Sequence, residues 1–523
     1  MDGHSEGSLT EKQAYRWNKK GYTKRSRCTY VFCTWPAPTV NRDWCDVAQV
    51  TIDIIPDVAL LDIFDFYVDK EPFRRGHGLK HQMEEWHTLV HVCQRWRYIV
   101  FASPRRLNLR LFCDGRTPAR KTLNVWPPLP IVVWDDDPMM WLMGRVENIF
   151  AALEHNNRVC SVNLSNIPRL PLRKLLAAMQ KPFPALTHLH LHFLCDKPVD
   201  PASFLGGSVP SLKTLVLDCV PFPGLPKLLL SSTHLVSLTL WRISYSGNIS
   251  PEAVVTCLSV LIRLKSLEIG FRSPQPYPDK NSLPPQTRTL LPVLTRLCFR
   301  GGSDYFEDLV ARIDAPLLDF LDTMFFHQLI FDVPQLTQFM SRTPGLKAHD
   351  ETRLIFSTHW SVSVAVPQIF YGALKLGISC RQSDWQVSSV AQVYGSSFPR
   401  ALIPAVECLY ILEDLYRAQL LEPHWKDDIE NGQWLELLHP FTGVRDLYIS
   451  QELVSHIAPV LQELAGEKVV EVLPALETLY WGETLPSGPD QEAIGEFVAA
   501  RQLASHPISV SLWEGNHFNL RIQ

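Results

Sequence analysis

The feature that most limits what this chain can fold into is a short apolar phrase that returns at irregular intervals. Leu-x-x-Leu-x-Leu occurs as Leu186-Thr187-His188-Leu189-His190-Leu191, as Leu212-Lys213-Thr214-Leu215-Val216-Leu217 and as Leu235-Val236-Ser237-Leu238-Thr239-Leu240. Weaker copies cover 264–269, 294–299, 444–449 and 476–481, and Pro184, Pro210, Pro292 and Pro474 each stand two residues ahead of a copy. The leading leucines at 186, 212, 235, 264 and 294 are 26, 23, 29 and 30 residues apart. Alternating apolar runs of this length read as strands, and the segments 172–179 and 251–261 between them have helical spacing. A unit of one strand and one helix or turn cannot bury its apolar face alone, so the copies must stack.

Alternation then sorts the side chains. If Leu189 and Leu191 face the core, His188, His190 and His192 face outward together. The equivalent outward positions are Thr214, Val216 and Asp218, then Ser237, Thr239 and Trp241, then Ser266 and Glu268, then Arg296 and Arg300. The expected fold is α/β, with an N-terminal helical module (51–110) followed by an irregular leucine-rich-repeat-like solenoid over 111–523. Its parallel sheet lines the concave face, and those outward residues form the expected target-binding surface. The Pro-rich segment 273–288 reads as a loop, because the strand pattern resumes after it. The repeat is faint between 340 and 440. There Leu354-Ile355-Phe356 fits no copy, and the run from Val406 to Ile411 reads as a degenerate one. Trp241, a large outward aromatic, is either an interface anchor or covered by a loop.

The 523 residues are too many for one compact core. Hydrophobic residues at 46% and charged residues at 20% exclude disorder throughout, and a net charge of −4 argues for neither nucleic acid nor an anionic membrane. The N-terminus has no signal-peptide core and no run approaches a membrane span, so an intracellular location, cytoplasmic or nuclear, is expected. The 12 cysteines are scattered singly, several within apolar repeats such as Asp218-Cys219-Val220 and Thr256-Cys257-Leu258. That pattern suits buried free thiols in a reducing compartment. Residues 1–50 carry a basic stretch at 12–27 with seven Lys or Arg and no acidic residue. It reads as a flexible tail, with a nuclear-import or phosphate-binding patch as the alternative. The spacing of Cys28, Cys33 and Cys45 fits no zinc pattern.

Within 51–110 two amphipathic helices are expected. The first opens at Pro56-Asp57 and carries Leu60, Leu61, Phe64, Tyr67 and Val68 in steps of three and four. The second runs from about Trp86 to Val100 with Leu89, Val90, Cys93 and Trp96 on one stripe, flanked by Arg95 and Arg97. Val92 and Ile99 widen that stripe. Two helices this short are not stable alone, so they pack either on the rest of the chain as a cap or on a partner.

The string Ile55-Pro56-Asp57-Val58-Ala59-Leu60-Leu61-Asp62-Ile63-Phe64, followed by Val90-His91-Val92-Cys93-Gln94-Arg95-Trp96-Arg97, resembles the F-box pattern over about 45 residues. That pattern runs apolar-Pro, then Leu-x-x-Ile-Phe, then Val-Cys-x-x-Trp-Arg. Ile55 replaces the usual Leu, and the connection 69–85 is longer than typical. The continuation from Phe101 to Leu109 and the Pro- and Leu-rich remainder are similar to the expanded F-box families of mushroom-forming fungi. The resemblance implies that Ile55, Pro56, Leu60, Leu61, Ile63, Phe64, Val92, Cys93 and Trp96 form the F-box core, some facing a Skp-type adaptor and through it a cullin. It further implies a substrate-recognition subunit of a ubiquitin ligase acting by proximity on a target protein of unknown identity. A repeat scaffold unconnected with ubiquitin is the alternative.

No catalytic or metal site and no cofactor is expected. Gly-x-Ser-x-Gly, P-loop, His-Glu-x-x-His and dinucleotide glycine patterns are all missing, which gives no argument for an enzyme. Asp135-Asp136-Asp137 before Pro138 reads as a loop. His81 and His87 flank Glu84 and Glu85 at the wrong spacing for zinc. No carboxylate or Cys accompanies the His188, His190, His192 row by local spacing. Cys93, between apolar residues, is expected to be buried and unreactive.

Overall fold

The computed structural model describes residues 52–68, 85–115, 119–135, 146–193, 204–219, 224–244, 249–272, 287–326, 333–346, 351–357, 361–367, 373–379, 406–413, 431–466, 469–482 and 488–513. The basic tail, the connection 69–84 and positions 273–286 of the Pro-rich loop lie outside the described residues. Contacts divide the chain into residues 1–60 and 61–523. In the first, a 3-10 turn, Ile52–Ile54, precedes helix α1 (Asp57–Tyr67), which continues past the division. Pro56 stands just ahead of the helix and its carbonyl accepts from Leu60 N at 3.0 Å, while Asp57 sits in the first turn at the positive dipole end.

In residues 61–523 the expected second helix is two helices, α2 (Glu85–Val92) and α3 (Gln94–Ala102). The break falls at Cys93, whose backbone is extended (φ −155°, ψ 171°) and whose Sγ accepts from Trp96 N at 3.4 Å. The sulfur therefore serves as an N-cap and lies exposed, which corrects the expectation of a buried thiol. Arg97 Nε crosses back over the break to Val90 O at 3.0 Å.

The strands are β1 (Leu111–Cys113), β2 (Ile131–Asp135), β3 (Val159–Ile167), β4 (His188–Phe193), β5 (Thr214–Asp218), β6 (Ser237–Ile243), β7 (Ser266–Phe271), β8 (Thr289–Leu290) and β9 (Arg296–Gly301). They continue as β10 (Ile313–Asp314), β11 (Phe320–Phe326), β12 (Glu351–Ser357), β13 (Ser361–Pro367), β14 (Ala373–Ser379), β15 (Cys408–Glu413), β16 (Asp446–Ile449), β17 (Thr478–Trp481) and β18 (Ser509–Leu512). Among the described residues, all but β8 and β10 join one 16-stranded sheet. Each expected copy forms one of its strands.

A turn sets where each copy begins. Leu186 N donates to Phe183 O at 3.1 Å, Leu212 N to Val209 O at 3.1 Å and Leu476 N to Leu473 O at 3.1 Å. Pro184, Pro210 and Pro474 occupy the second position of these turns, where the ring's fixed φ suits the bend. The turns start the copies in matching register. Leu189, Leu215, Leu238, Leu267, Leu297 and Leu321 are register partners across six parallel strands. All six are at most 1% exposed. Behind them lie the buried faces of the intervening helices, among them Leu172, Leu175 and Leu176 of Arg169–Ala178 and Val254, Cys257 and Leu258 of Pro251–Leu258. Toward β9 the core turns aromatic, with Phe271 4.7 Å from Tyr305 and Phe299 4.6 Å from Phe306 between ring centroids.

The expectation of an all-parallel sheet fails at β12–β14. The order there is β11-β14-β13-β12-β15, and β13 is antiparallel to both of its neighbours. The links 358–360 and 368–372 are too short for the helix that a parallel crossover needs, so the chain returns by antiparallel pairing. β12 contains Leu354-Ile355-Phe356, with Leu354 fully buried, and β15 contains the degenerate copy. Asp135 also departs from the loop reading. It ends β2, is buried, and accepts from Gly115 N at 2.8 Å.

Arginines clamp several turns to the unit before them. Arg158 donates to the carbonyls of Leu129 and Pro127, Arg342 to those of Val310 and Ile313, and the fully buried Arg501 to those of Val469 and Leu476. Each fork supplies guanidinium donors to carbonyls of the preceding unit. Because Leu215 sits mid-row with partners on both sides, Leu215→Ala should cost about 2–5 kcal/mol in a denaturant titration. A cost below about 1 kcal/mol would mean that this position is not in a close-packed core.

Candidate functional site

The side chains opposite the core form an open face, and its residues follow the register. One row runs Ser161, His188, Thr214, Ser237, Ser266, Arg296, Phe320. The next runs Asn163, His190, Val216, Thr239, Glu268, Cys298, Asp322. A third begins His192, Asp218, Trp241. The outward residues read from the sequence are thus brought onto one surface, mostly half-buried, with Thr239 buried and Arg296 and Arg300 exposed.

At the edge of this surface Arg242 links three strands. Its guanidinium takes Asp218 bidentately, with both distances 2.6 Å, and donates to His192 Nε2 at 2.6 Å. The imidazole must therefore present an unprotonated Nε2. Alternation alone does not reveal this arginine, because Arg242 adopts a left-handed backbone (φ 49°) where the β6–β7 register shifts, between Leu240 and Ile243. Burial holds His188, His190 and His192 below the usual imidazole value. Positive neighbours add to it for His188 and His192, and His192 itself does so for His190, while Asp218 opposes the shift in the latter two. Among the described residues no group of three or more His, Cys, Asp or Glu could hold a metal ion.

Trp241 lies against its own sheet. An added Cβ on Gly270 would stand 2.2 Å from Cε3 of the indole, so the glycine makes room for the ring. Indole Nε1 donates to Glu268 Oε2 at 3.1 Å, and Glu268 Oε1 accepts from Arg296 Nε at 3.3 Å. Arg296 also sits over the Phe320 ring, 4.1 Å from its centroid, and Arg300 over Phe326 at 5.5 Å.

A second aromatic group was not singled out in the sequence. Tyr410, Tyr448 and Tyr480 stack in register on β15, β16 and β17, with centroids 4.2 and 4.3 Å apart and planes within 9°. Trp513 packs edge-on to Tyr410 and Tyr448. Burial, then the flanking tyrosines, pushes the Tyr448 hydroxyl well up, so it stays protonated. The available signal was that Tyr448 and Tyr480 hold the same position in their copies.

The helical module has two faces. Phe64 is fully buried and its ring lies 4.7 Å from Trp96; Asp62 and Arg106 form an ion pair. Trp86 packs edge-on to Trp126 at 5.3 Å, donates Nε1 to Arg110 O at 3.3 Å, and His87 stacks on Trp126 at 4.9 Å. Of the residues implied by the F-box resemblance, Leu60 and Phe64 are buried, Ile55, Leu61 and Trp96 half-buried, and Pro56, Ile63, Val92 and Cys93 exposed. Phe66, absent from that set, is 94% exposed, and Val58 and Tyr98 are also open.

Cys113, Cys257 and Cys298 are buried free thiols, and burial pushes Cys113 and Cys298 up to about 12. They are unreactive at neutral pH. Among the described residues no helix is long and apolar enough to cross a membrane.

No protein-family model and no curated protein matches the sequence. Among solved structures, the leucine-rich repeat-containing protein LegL7 from Legionella pneumophila is similar over 74% of this chain and 97% of its own, at 13% identity and a TM-score of 0.28. The repeat architecture described above rests on this chain's own strands.

The depressed histidines set a pH dependence. A folded-state value below the unfolded 6.5 means that the unfolded chain takes up protons first as the pH falls. Their contribution is full above the unfolded value and declines as the pH drops toward and through the folded ones. Replacing all three with Gln should therefore flatten the loss of Tm between about pH 7.5 and 5.5. An unchanged slope would show that these imidazoles do not titrate as their surroundings require.

Proposed function

We propose that the chain is a substrate-recognition adaptor of a Skp–cullin–F-box type ubiquitin ligase. In this reading α1–α3 dock the Skp-type adaptor and the open face of the sheet holds the target protein. It has no active site of its own. Holding target and ligase on one chain raises the effective concentration of one near the other.

The observation that carries the reading is the unequal burial of the helical module. The F-box-like string places Ile63 and Val92 in water at 52% and 59% exposure, and Val58 and Phe66 of α1 and Tyr98 of α3 are exposed as well. Single exposed apolar residues are ordinary; several on one short module suit a protein interface. A second reading, a repeat scaffold without ubiquitin, is favoured by the Trp86–Trp126 and His87–Trp126 contacts, through which α2 already caps the repeats.

Co-purification with a Skp-type adaptor separates the two. Ile63→Asp combined with Val92→Asp should lower adaptor capture at least about tenfold with Tm unchanged, since both side chains are exposed. Phe64→Asp is unsuitable, because it would bury a charge and unfold the module. If the wild-type chain retains no adaptor, or the double variant retains it undiminished, the scaffold reading stands instead.

A further inference from the structure

Charge is unevenly spread at the end of the sheet where β1 to β7 begin. The turns leading into these strands cover 103–111, 125–131, 154–159, 179–188, 207–214, 231–237 and 258–266, all within the described residues. They hold eight Lys or Arg and one carboxylate, Glu154. Three of the cations are engaged: Arg106 pairs with Asp62, Arg158 clamps the carbonyls of Leu129 and Pro127, and Arg110 holds Asn108 Oδ1. The other five, Arg105, Lys181, Lys213, Arg263 and Lys265, are exposed and make no ion pair among the described residues.

Backbone pairing places two of these side chains near each other. Lys213 N donates to Thr187 O, Val236 N to Lys213 O and Lys265 N to Val236 O, each at 2.8 Å. Lys213 and Lys265 therefore flank Val236 on one rung, two interstrand spacings or about 10 Å apart. Each residue of the rung directly precedes a member of the outward row His188, Thr214, Ser237, Ser266, so the lysines border the open face. His188 registers the charge: burial, then Arg110 and Lys213, hold its imidazole below the usual value. Past Lys265 the rung continues through Thr295 to Asp319, which bounds the cationic stretch. On the neighbouring row both oxygens of Glu268 are taken, by Trp241 and Arg296.

We propose that this border of the open face receives an acidic segment of the target protein, its carboxylates on Lys213 and Lys265 and its backbone against Thr214, Ser237 and Ser266. Two acidic residues three positions apart in an extended segment span the same ~10 Å. A single-stranded nucleic acid suits the border less. It binds through bases stacked on aromatic rings, and the row beside the lysines holds no Phe, Tyr or Trp before Phe320. The net charge of −4 also opposes a long polyanion, whereas a short acidic segment meets only the local cations. The proposal rests on the open face being a protein-binding surface, and it does not need the adaptor.

The test uses the full chain, without adaptor, and fluorescein-labelled probes read by anisotropy. One peptide carries Glu at every third position with Gly and Ser between, and two others carry Gln or Lys in place of Glu. The last probe is an oligouridine of the same net charge as the Glu peptide. The Glu peptide should bind at least about threefold more tightly than the Gln peptide, weaken as salt rises and bind more tightly than the oligouridine. The Lys peptide should not bind. Lys213→Gln with Lys265→Gln should remove the Glu-over-Gln preference, and Lys213→Glu with Lys265→Glu should move the preference to the Lys peptide. Arg300→Gln, at the other end of β9, should leave the preference as it is. Both lysines are exposed, so thermal unfolding of their variants should match wild type. No binding of the Glu peptide, equal binding of the Glu and Gln peptides, or tighter binding of the oligouridine would each overturn the proposal. So would a preference that survives the paired Gln substitutions or is lost with Arg300→Gln. Adaptor capture is scored separately, so its loss leaves this result standing, and failure here leaves the adaptor reading intact.

Discussion

Everything in the repeat region depends on one row of leucines meeting edge to edge. Leu189, Leu215, Leu238, Leu267, Leu297 and Leu321 are register partners, and none is more than 1% exposed. Burying each contributes roughly 1.5–3 kcal/mol, which exceeds the net contribution of any single hydrogen bond in the sheet. A one-residue slip would turn the whole row to the open side, so the register cannot drift. The proline-containing turns hold each copy at its starting point, and arginine forks tie several units to the carbonyls of the unit before.

Because the core is satisfied by one side of each strand, the other side is free of packing duty. It carries the residues that packing alone would not select: three histidines, an Arg242–Asp218–His192 chain, an indole lying over a glycine, and farther along a stack of three tyrosines. The helical module repeats this division on a smaller scale. Phe64 and Trp86 are used inside the chain, while Ile63, Phe66 and Val92 are left in water.

Much of this was legible where a repeat copy is complete. The phrase at 186–191 gives strand, register, inward leucines and outward histidines at once, because period-two alternation encodes all four. Legibility ended where a neighbour, and not the local pattern, decides the outcome. Cys93 sits on an apolar stripe by spacing yet breaks the helix, since its backbone is extended and its sulfur caps α3. Arg242 joins the face only through a left-handed residue at a register shift. The β12–β14 reversal follows from link lengths rather than from any apolar pattern. Gly270 gains its meaning only when Trp241 of the adjacent strand is placed over it.

Hydrogen exchange of the free chain tests the central claim, that the leucine row binds successive copies into one cooperative core. The amides of Leu189, Leu215, Leu238, Leu267 and Leu297 should exchange as a single slow group, with the exposed turns of α1–α3 exchanging faster. Strands that exchange at separate and rapid rates would contradict it, because they would show each copy holding its own structure without its neighbours.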